Sequence, residues 1–149
     1  MYGNKLENLV GKKVVRVFMN ENNLRFDTDG GVFCFSVDGD CCSLSYFYDF
    51  YGVKNLFENG KIIAIKEVEL KPSDTAQGKY GEEDKKGSDS ISVYGFQITT
   101  ESKDLGERTS VFSFRNYSNG YYGGSLEDCS EIEVSPEIKD DVICTEQIK

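Results

Sequence analysis

The stretch that decides the fold is Leu24-Arg25-Phe26-Asp27-Thr28-Asp29-Gly30-Gly31-Val32-Phe33-Cys34-Phe35-Ser36-Val37. Apolar and polar side chains alternate on both sides of the central Asp-Gly-Gly, which is typical of two half-buried strands. The glycines allow the positive φ that a tight hairpin requires, because glycine has no Cβ to clash. The β-branched and aromatic run Val14–Phe18 precedes this hairpin. Together they predict a three-strand antiparallel meander.

The same pattern recurs in the second half of the chain. Gly60–Ile65 matches Gly11–Arg16 at an offset of 49 residues, and Val111–Phe114 matches Val32–Phe35 at an offset of 79. Tyr94–Thr99 stands where the middle strand of a second meander is expected. We therefore predict an α+β, β-dominated fold whose antiparallel sheet or sheets are built from two similar three-strand meanders. Chance similarity of short β patterns is the competing explanation.

One short helix is predicted near residues 44–51. Apolar side chains recur at i, i+3, i+4 and i+7 from Leu44 to Tyr51. A serine can cap the start of this helix and Gly52 can close its end.

The chain is predicted to form a single domain over residues 1–149. It comprises unit one (about 9–52), unit two (about 60–134), a mobile loop (71–90) and an acidic C-terminal tail (135–149). The loop has almost no apolar side chains, so burial cannot offset the entropy of ordering it. In the tail, Val142–Cys144 could add a short strand or dock on the core.

Composition excludes several classes of function. The 149 residues include no His, which removes Ser-His and Cys-His nucleophile pairs, His-bearing zinc sites and an imidazole acid or base. We therefore expect no enzyme activity, no cofactor and no metal. No apolar run reaches about 20 residues, which predicts no membrane span. Five cysteines and the lack of an apolar signal core predict reduced thiols in the cytoplasm.

The negative charge is concentrated at the C-terminal end. Residues 127–149 contain eight acidic and two basic side chains, whereas the first 126 residues contain 18 acidic and 15 basic ones. Nucleic acid is a poor direct ligand for such a chain, because phosphate binding requires a concentrated positive field. A basic protein surface is a better partner, although a solvated tail that only aids solubility explains the charge as well.

Two segments carry a family resemblance. Asp38-Gly39-Asp40-Cys41-Cys42-Ser43 and Asn116-Tyr117-Ser118-Asn119-Gly120-Tyr121-Tyr122-Gly123-Gly124 each follow the third strand of a predicted unit. With its Gly-Asp-Cys-Cys-Ser and Asn-Gly-Tyr-Tyr-Gly-Gly motifs, the chain resembles a family of small uncharacterised proteins of bacteriophages and prophages, over roughly residues 9–130. The resemblance implies a phage-linked context and a β-rich fold, and it brings no established activity or catalytic residue.

These observations lead to a hypothesis of function. We expect a phage- or prophage-encoded binding protein that inhibits a host factor or bacterial defence system, as anti-CRISPR proteins do, by acidic mimicry of nucleic acid. The partner-binding carboxylates would be those of Glu127, Asp128, Glu131, Glu133, Asp140 and Asp141.

Two alternatives remain open at this stage. One is a protein that sequesters a nucleotide signal, in a ligand pocket formed by Asp40, Cys41, Cys42, Arg115, Asn116, Asn119, Tyr121 and Tyr122. The other is a structural or assembly component of a phage particle. The same motifs could instead serve only as turns and small apolar fillers.

Overall fold

Strands account for most of the structure. The computed structural model describes residues 6–39, 44–69, 90–118, 124–128 and 136–143. The strands are β1 (Val14–Met19), β2 (Asn23–Thr28), β3 (Gly31–Gly39), β4 (Leu44–Tyr51), β5 (Lys61–Glu69), β6 (Ser90–Ser102), β7 (Gly106–Ser118), β8 (Gly124–Asp128), β9 (Glu137–Ile138) and β10 (Val142–Ile143). A short helix, α1 (Val53–Glu58), and one 3-10 turn, Leu6–Leu9, complete the described elements.

The strands form two antiparallel sheets of five strands each. The first sheet has the order β8-β3-β2-β1-β9 and the second has the order β10-β4-β7-β6-β5. Each therefore contains one uninterrupted meander, β1-β2-β3 or β5-β6-β7, which confirms the predicted β-dominated fold built from two three-strand units. The fourth strand of each unit crosses over, because β4 pairs with β7 and β8 pairs with β3.

The two meanders share an irregularity near their beginning. The register of β1 shifts at Val15, between Val14 and Arg16, and that of β5 shifts at Ile63, between Ile62 and Ala64. Val15 is 52% exposed and Ile63 is 42% exposed, whereas the residue before each of them is buried. Val15 and Ile63 are therefore equivalent positions, 48 residues apart. This separation is one residue less than the offset of 49 between Gly11–Arg16 and Gly60–Ile65.

The predicted hairpin between β2 and β3 is confirmed. Thr28 pairs with Gly31, so the loop contains only Asp29 and Gly30. Gly31 has a φ of 128°, which a side chain would strain. The Asp29 carboxylate accepts a hydrogen bond from the main-chain N–H of Lys13 at 3.0 Å, so the loop is tied to the chain entering β1.

The helix predicted at residues 44–51 is wrong in position, because these residues form β4 and the helix begins at Val53. A bulge explains the error. Phe47 pairs with Phe114 and Asp49 with Ser113, which leaves Tyr48 as an extra residue. An extra residue changes the spacing of core-facing positions from two to three, which imitates helical periodicity. Gly52, with a φ of 76°, therefore precedes the helix instead of ending it.

The core lies between the sheets and receives aromatic side chains from both. Phe26 of the first sheet contacts Phe50 and Phe112 of the second, with ring centroids 6.2 and 6.3 Å apart. Edge-on and tilted ring contacts of this kind add to the stabilisation from apolar burial. The buried core comprises Leu6, Leu9, Val14, Val17, Met19, Leu24, Phe26, Phe35, Phe47, Phe50, Val53, Leu56, Ile62, Phe96, Ile98, Phe112, Phe114, Ile138 and Val142.

Part of the predicted acidic tail belongs to the sheets. Glu137–Ile138 pairs with β1, and Val142–Ile143 pairs with β4, so of the two alternatives considered for Val142–Cys144 the structure has the short strand at Val142 and Ile143. We call residues 136–143 the C-terminal strap, because they join the edges of both sheets. The predicted mobile loop lies outside the described residues, except for Ser90, which begins β6.

Candidate functional site

The chain segments on either side of the two motifs meet at one end of the molecule. Gly39 pairs with Gly124 in the first sheet, and Leu44 pairs with Tyr117 in the second. Residues 40–43 and 119–123 therefore both connect the same ends of the two sheets. Because they connect the same strand ends, this end of the molecule is the first candidate site. Asp40, Cys41, Cys42, Asn119, Tyr121 and Tyr122, which the sequence predicted in a ligand pocket, lie outside the described residues.

Arg115 and Asn116, the two described residues of the predicted pocket, are buried in the second sheet. Both have 0% relative exposure. The guanidinium carbon of Arg115 lies 3.9 Å from the centroid of the Tyr48 ring, a cation–π contact that gains strength when it is desolvated. The side-chain amide of Asn116 donates a hydrogen bond to the Ser45 hydroxyl at 2.9 Å. These contacts fix the end of β7 that leads into the second motif.

A further polar pair lies on the same two strands. The Ser113 hydroxyl donates a hydrogen bond to the Asp49 carboxylate, and both residues are buried. With Ser45, Arg115 and Asn116, they make five buried polar side chains on β4 and β7. Ser113 and Arg115 share one face of β7, and Asn116 alternates to the face that carries Phe112 and Phe114. Sequence analysis missed the pair Asp49 and Ser113 because it interpreted β4 as a helix. The signal was a lone acid in the aromatic run Tyr46–Tyr51.

The predicted partner-binding carboxylates do not form one cluster. Glu127 and Asp128 are on β8, at one edge of the described first sheet, whereas Asp140 and Asp141 follow β9 at the opposite edge. Four strand spacings separate these edges, about 19 Å along the sheet. Glu131 and Glu133 lie outside the described residues. The described members of this acidic set therefore lie at two opposite edges of the first sheet.

Asp141 stabilises the start of α1. One of its carboxylate oxygens accepts hydrogen bonds from the main-chain N–H groups of Gly52 and Val53, at 2.7 and 3.2 Å. Gly52 occupies the N-cap position and has no side chain with which to cap the helix. A carboxylate from the strap therefore provides the acceptor that a Ser, Thr, Asn or Asp usually supplies locally. Asp141 is already engaged within the protein.

Asp140 faces solvent beside this cap. Its side chain is 69% exposed and lies 3.5 Å from the Lys54 ammonium group. A hydrogen bond from the main-chain N–H of Asp141, together with the charge of Lys54, holds the pKa of Asp140 below its ordinary value. Asp140 is consequently an exposed negative charge at neutral pH, held next to an ordered backbone.

The C-terminal end of α1 is also fixed by a distant side chain. The Lys13 ammonium group donates hydrogen bonds to the main-chain carbonyls of Leu56 and Phe57, at 3.0 and 2.7 Å. A cation at this end satisfies carbonyls that have no partner within the helix. Burial lowers the pKa of Lys13, and the opposing charge of Asp29 only partly compensates. Chain segments before β1 and after β9 thus hold the two ends of this helix.

Two arginines enclose an aspartate on the outer face of the first sheet. Asp27 accepts two hydrogen bonds from Arg25, at 2.7 and 3.1 Å, and one from Arg16 at 3.2 Å. Burial acts to raise the pKa of Asp27, but the hydrogen bonds and charges of the two arginines outweigh it and lower the pKa. The Arg25 guanidinium also lies over the Phe18 ring, 4.6 Å from its centroid. Sequence analysis singled out none of these residues.

No group of three or more His, Cys, Asp or Glu side chains among the described residues could hold a metal ion. No helix in this part of the chain is long and apolar enough to cross a membrane. Cys34, on β3, carries a free and half-buried thiol.

Comparison with known proteins identifies the family. Residues 7–127 match a family model described as "Domain of unknown function (DUF7448)", and the chain therefore belongs to this family. The match includes β1 to β7 and both motif segments, and it ends within β8, before the C-terminal strap. No curated protein and no solved structure matches the chain. The expected membership of an uncharacterised family is confirmed.

Replacing Asp141 with Ala should destabilise the protein. The change removes a carboxylate acceptor from two main-chain N–H groups, and hydrogen bonds to charged groups contribute about 1–3 kcal/mol. Urea unfolding with linear extrapolation measures the difference. Asp140→Ala is the matched control and should cause a smaller loss, because solvent screens the interactions of this exposed side chain with the Asp141 N–H and Lys54. Equal losses in the two variants would contradict the capping role of Asp141.

Replacing Asp27 with Asn should destabilise the protein at neutral pH by about 1–2 kcal/mol, because three charge-assisted hydrogen bonds are weakened or lost. The pKa of Asp27 is lower in the folded state than its ordinary value of 3.8. Its stabilising effect is therefore complete above the unfolded-state pKa and is lost as pH falls through the folded-state pKa.

Urea unfolding of both proteins across this acid range tests the prediction. The difference in free energy of unfolding between the wild type and Asp27→Asn should become smaller as pH falls. A variant in which Arg16 and Arg25 are both changed to Gln should lose the same pH-dependent part of the free energy of unfolding. A difference that stays constant throughout the acid range would show that the arginines do not stabilise the Asp27 carboxylate.

Proposed function

We propose that this member of the DUF7448 family is a non-enzymatic binding protein, encoded by a bacteriophage or prophage, that inhibits a host factor or defence system in the bacterial cytoplasm. The partner would be a host protein with a basic surface that normally binds nucleic acid, as for an anti-CRISPR protein. The observation that supports this most strongly is the concentration of charge, since residues 127–149 contribute six of the nine net negative charges.

The strap gives this charge an ordered support. Glu137 and Asp140 are exposed, while the neighbouring Ile138 and Val142 are buried between the sheets. Carboxylates on an ordered segment lose little conformational entropy when a partner binds, which favours affinity. Lys139 is exposed between them, so these three residues carry a net charge of only −1, and most of the negative charge comes from other positions in residues 127–149.

Asp141 has a different assignment within this proposal. It caps α1, so we assign partner binding to Glu127, Asp128, Glu131, Glu133 and Asp140, and we assign to Asp141 the positioning of the strap. Complementary charge would accelerate encounter with a Lys- and Arg-rich groove and compete there with phosphates. The effect should weaken as salt rises.

Neutralising four of these acids should slow partner binding. The host partner is first captured from a bacterial lysate with the intact protein and identified. The test variant carries Glu127→Gln, Glu131→Gln, Glu133→Gln and Asp140→Asn. We expect its association rate constant at low salt to fall by roughly tenfold or more, with a flatter salt dependence, because electrostatic steering is lost.

A second variant controls for net charge. It carries Glu7→Gln, Glu58→Gln, Asp104→Asn and Glu107→Gln, which remove the same number of charges from exposed positions elsewhere. This control should keep the wild-type rate and salt dependence. If the two variants bind alike, the position of the acids does not matter and mimicry of nucleic acid is rejected.

A nucleotide-sequestering function is the second proposal. The shared end of the two sheets favours it, because both motif segments connect the same strand ends there and the second segment contains three glycines. Main-chain N–H groups and aromatic rings suit a nucleotide. Since Arg115 is fully buried, its role would be to fix the end of β7, with ligand contacts made by the motif residues.

Thermal denaturation with cyclic and linear nucleotides tests this second proposal. A nucleotide present at 100 times its dissociation constant should stabilise the protein by about 2.7 kcal/mol. The variant Tyr121→Ala/Tyr122→Ala should lose that stabilisation. If no nucleotide raises the melting temperature of the wild type, the second proposal is rejected.

A further inference from the structure

Four side chains form a compact block on the outer face of the first sheet. Arg16 and Phe18 are on β1, and Arg25 and Asp27 are on β2. Arg16 is directly opposite Asp27, and Phe18 is directly opposite Arg25. Core residues alternate with them along both strands, so the four side chains point away from the core. We call these four residues the arginine block.

The arginine block is open to solvent, unlike the outer face of the second sheet. Asp49, Ser113 and Arg115 lie on that second face, and all three are buried. In the arginine block, by contrast, the Arg16 side chain is 55% exposed and the Arg25 side chain is 26% exposed. A dissolved anion can therefore reach both guanidinium groups.

One aspartate orients both arginines. Oxygen Oδ2 of Asp27 accepts hydrogen bonds from Nε of Arg16 at 3.2 Å and from Nη2 of Arg25 at 3.1 Å. Oxygen Oδ1 accepts one from Nε of Arg25 at 2.7 Å. The contact with the Phe18 ring also fixes Arg25. Because both guanidinium groups bind the same carboxylate oxygen, they are held side by side.

The arginines use only part of their hydrogen-bonding capacity. Within the part of the chain that the structure describes, Nη1 and Nη2 of Arg16 and Nη1 of Arg25 donate to no acceptor. Glu137 lies opposite Phe18 on β9 and forms no ion pair with either arginine. The block thus contains two positive charges and one negative charge, in a chain whose net charge is −9. One guanidinium charge is left without a matching anion in the block.

The architecture of the sheets does not require such a block. Val15 and Ile63 occupy equivalent bulges in the two meanders. Counted from these bulges, the positions of the second meander that correspond to the block are occupied by Ala64, Lys66, Gln97 and Thr99. A single charge is present there, although the strands pair in the same way. Strand pairing therefore does not explain two arginines around one carboxylate.

We propose that the arginine block is a binding site for the phosphate group of a small phosphate monoester. The terminal amino groups of Arg16 donate hydrogen bonds to the phosphate oxygens, and Arg25 adds a second positive charge beside them. Asp27 positions the two guanidinium groups. The site uses no residue of the two sequence motifs and no acid of residues 127–149, so it does not depend on the functions proposed above.

Charge and donor geometry favour this ligand over other anions. At neutral pH a phosphate monoester carries about 1.5–2 negative charges, more than a carboxylate does, and its oxygens match the planar guanidinium group. A nucleic-acid backbone requires several cations along its length, whereas the block offers one uncompensated charge. Val32, opposite Asp27 on β3, is 45% exposed and provides an apolar surface for the organic part of the ester.

The test titrates the full chain, labelled with nitrogen-15, with phenyl phosphate, inorganic phosphate or acetate. Two-dimensional NMR spectra follow the amide signals at constant ionic strength. We expect phenyl phosphate to shift signals of β1 and β2 with a dissociation constant of roughly 1 mM, because the contacts are exposed to solvent. Inorganic phosphate should bind about twofold more weakly, since it cannot contact Val32, and acetate should bind more weakly still.

Substitutions at Arg16 test the site itself. Arg16→Gln should weaken the binding of phenyl phosphate by about fivefold or more, because it removes both terminal amino groups and one charge. Arg16→Lys keeps the charge but loses the planar donor group, and it should weaken binding by about twofold. Arg108→Gln is the matched control. It removes the same charge from an exposed position on β7 and should bind like the wild type.

Glu137→Gln tests the charge balance of the block. It removes an exposed negative charge next to the block, so phenyl phosphate should bind this variant more tightly than the wild type. The same spectra show whether each variant is folded.

The proposal is overturned if no probe shifts signals of β1 and β2, or if Arg16→Gln and Arg108→Gln bind phenyl phosphate alike. Acetate that binds as tightly as phenyl phosphate would also overturn it, because the block would then be a carboxylate site. Equal affinity for phenyl phosphate and inorganic phosphate would reject the ester and leave free phosphate as the ligand.

Discussion

The pairing of β4 with β7, and of β8 with β3, is the constraint on which the rest of the structure depends. A three-strand meander has one apolar face and cannot bury it alone. Here each meander gains its fourth strand from the other unit, so neither sheet is complete without both units. Residues 40–43 and 119–123 must cross between the sheets to make this exchange.

Local alternation and turn chemistry were sufficient to predict most strands. The hairpin around Asp29 and Gly30 could be predicted from the alternation of apolar and polar residues and from the glycines, all within a stretch of 14 residues. The error at β4 had a non-local cause. The bulge at Tyr48 is set by pairing with β7, which lies about 65 residues further along the chain, and sequence periodicity carries no information on that partner. Burial on both faces of β4 also removed the alternation that would have indicated a strand.

The candidate sites were less predictable than the fold. Asp140 and Asp141 are adjacent acids, yet one faces solvent and the other caps a helix some 90 residues earlier in the chain. Amino-acid composition does not distinguish these two aspartates. A usable signal was present at Gly52, because a helix that begins after a glycine lacks its own side-chain acceptor and needs one from elsewhere. Similarly, the burial of Arg115 follows from its contact with Tyr48, which the motif around Asn119 does not reveal.

In the described part of the chain, the strap departs from the symmetry of the internal repeat. The first strands β1 and β5 are equivalent, as their shared bulges indicate, and the exchanged strands β4 and β8 are equivalent as well. Repeat symmetry alone would give the edges of β1 and β4 the same partners as those of β5 and β8. In the described part of the chain, however, the strap pairs with β1 and β4 only, and α1 follows only β4. The described part of the strap therefore packs on elements of unit one, and it lies beyond the residues that match the family model. Ile138 and Val142 belong to the core shared by the two sheets and Asp141 caps α1, so the segment that breaks the symmetry of the repeat also ties the edges of its two sheets together.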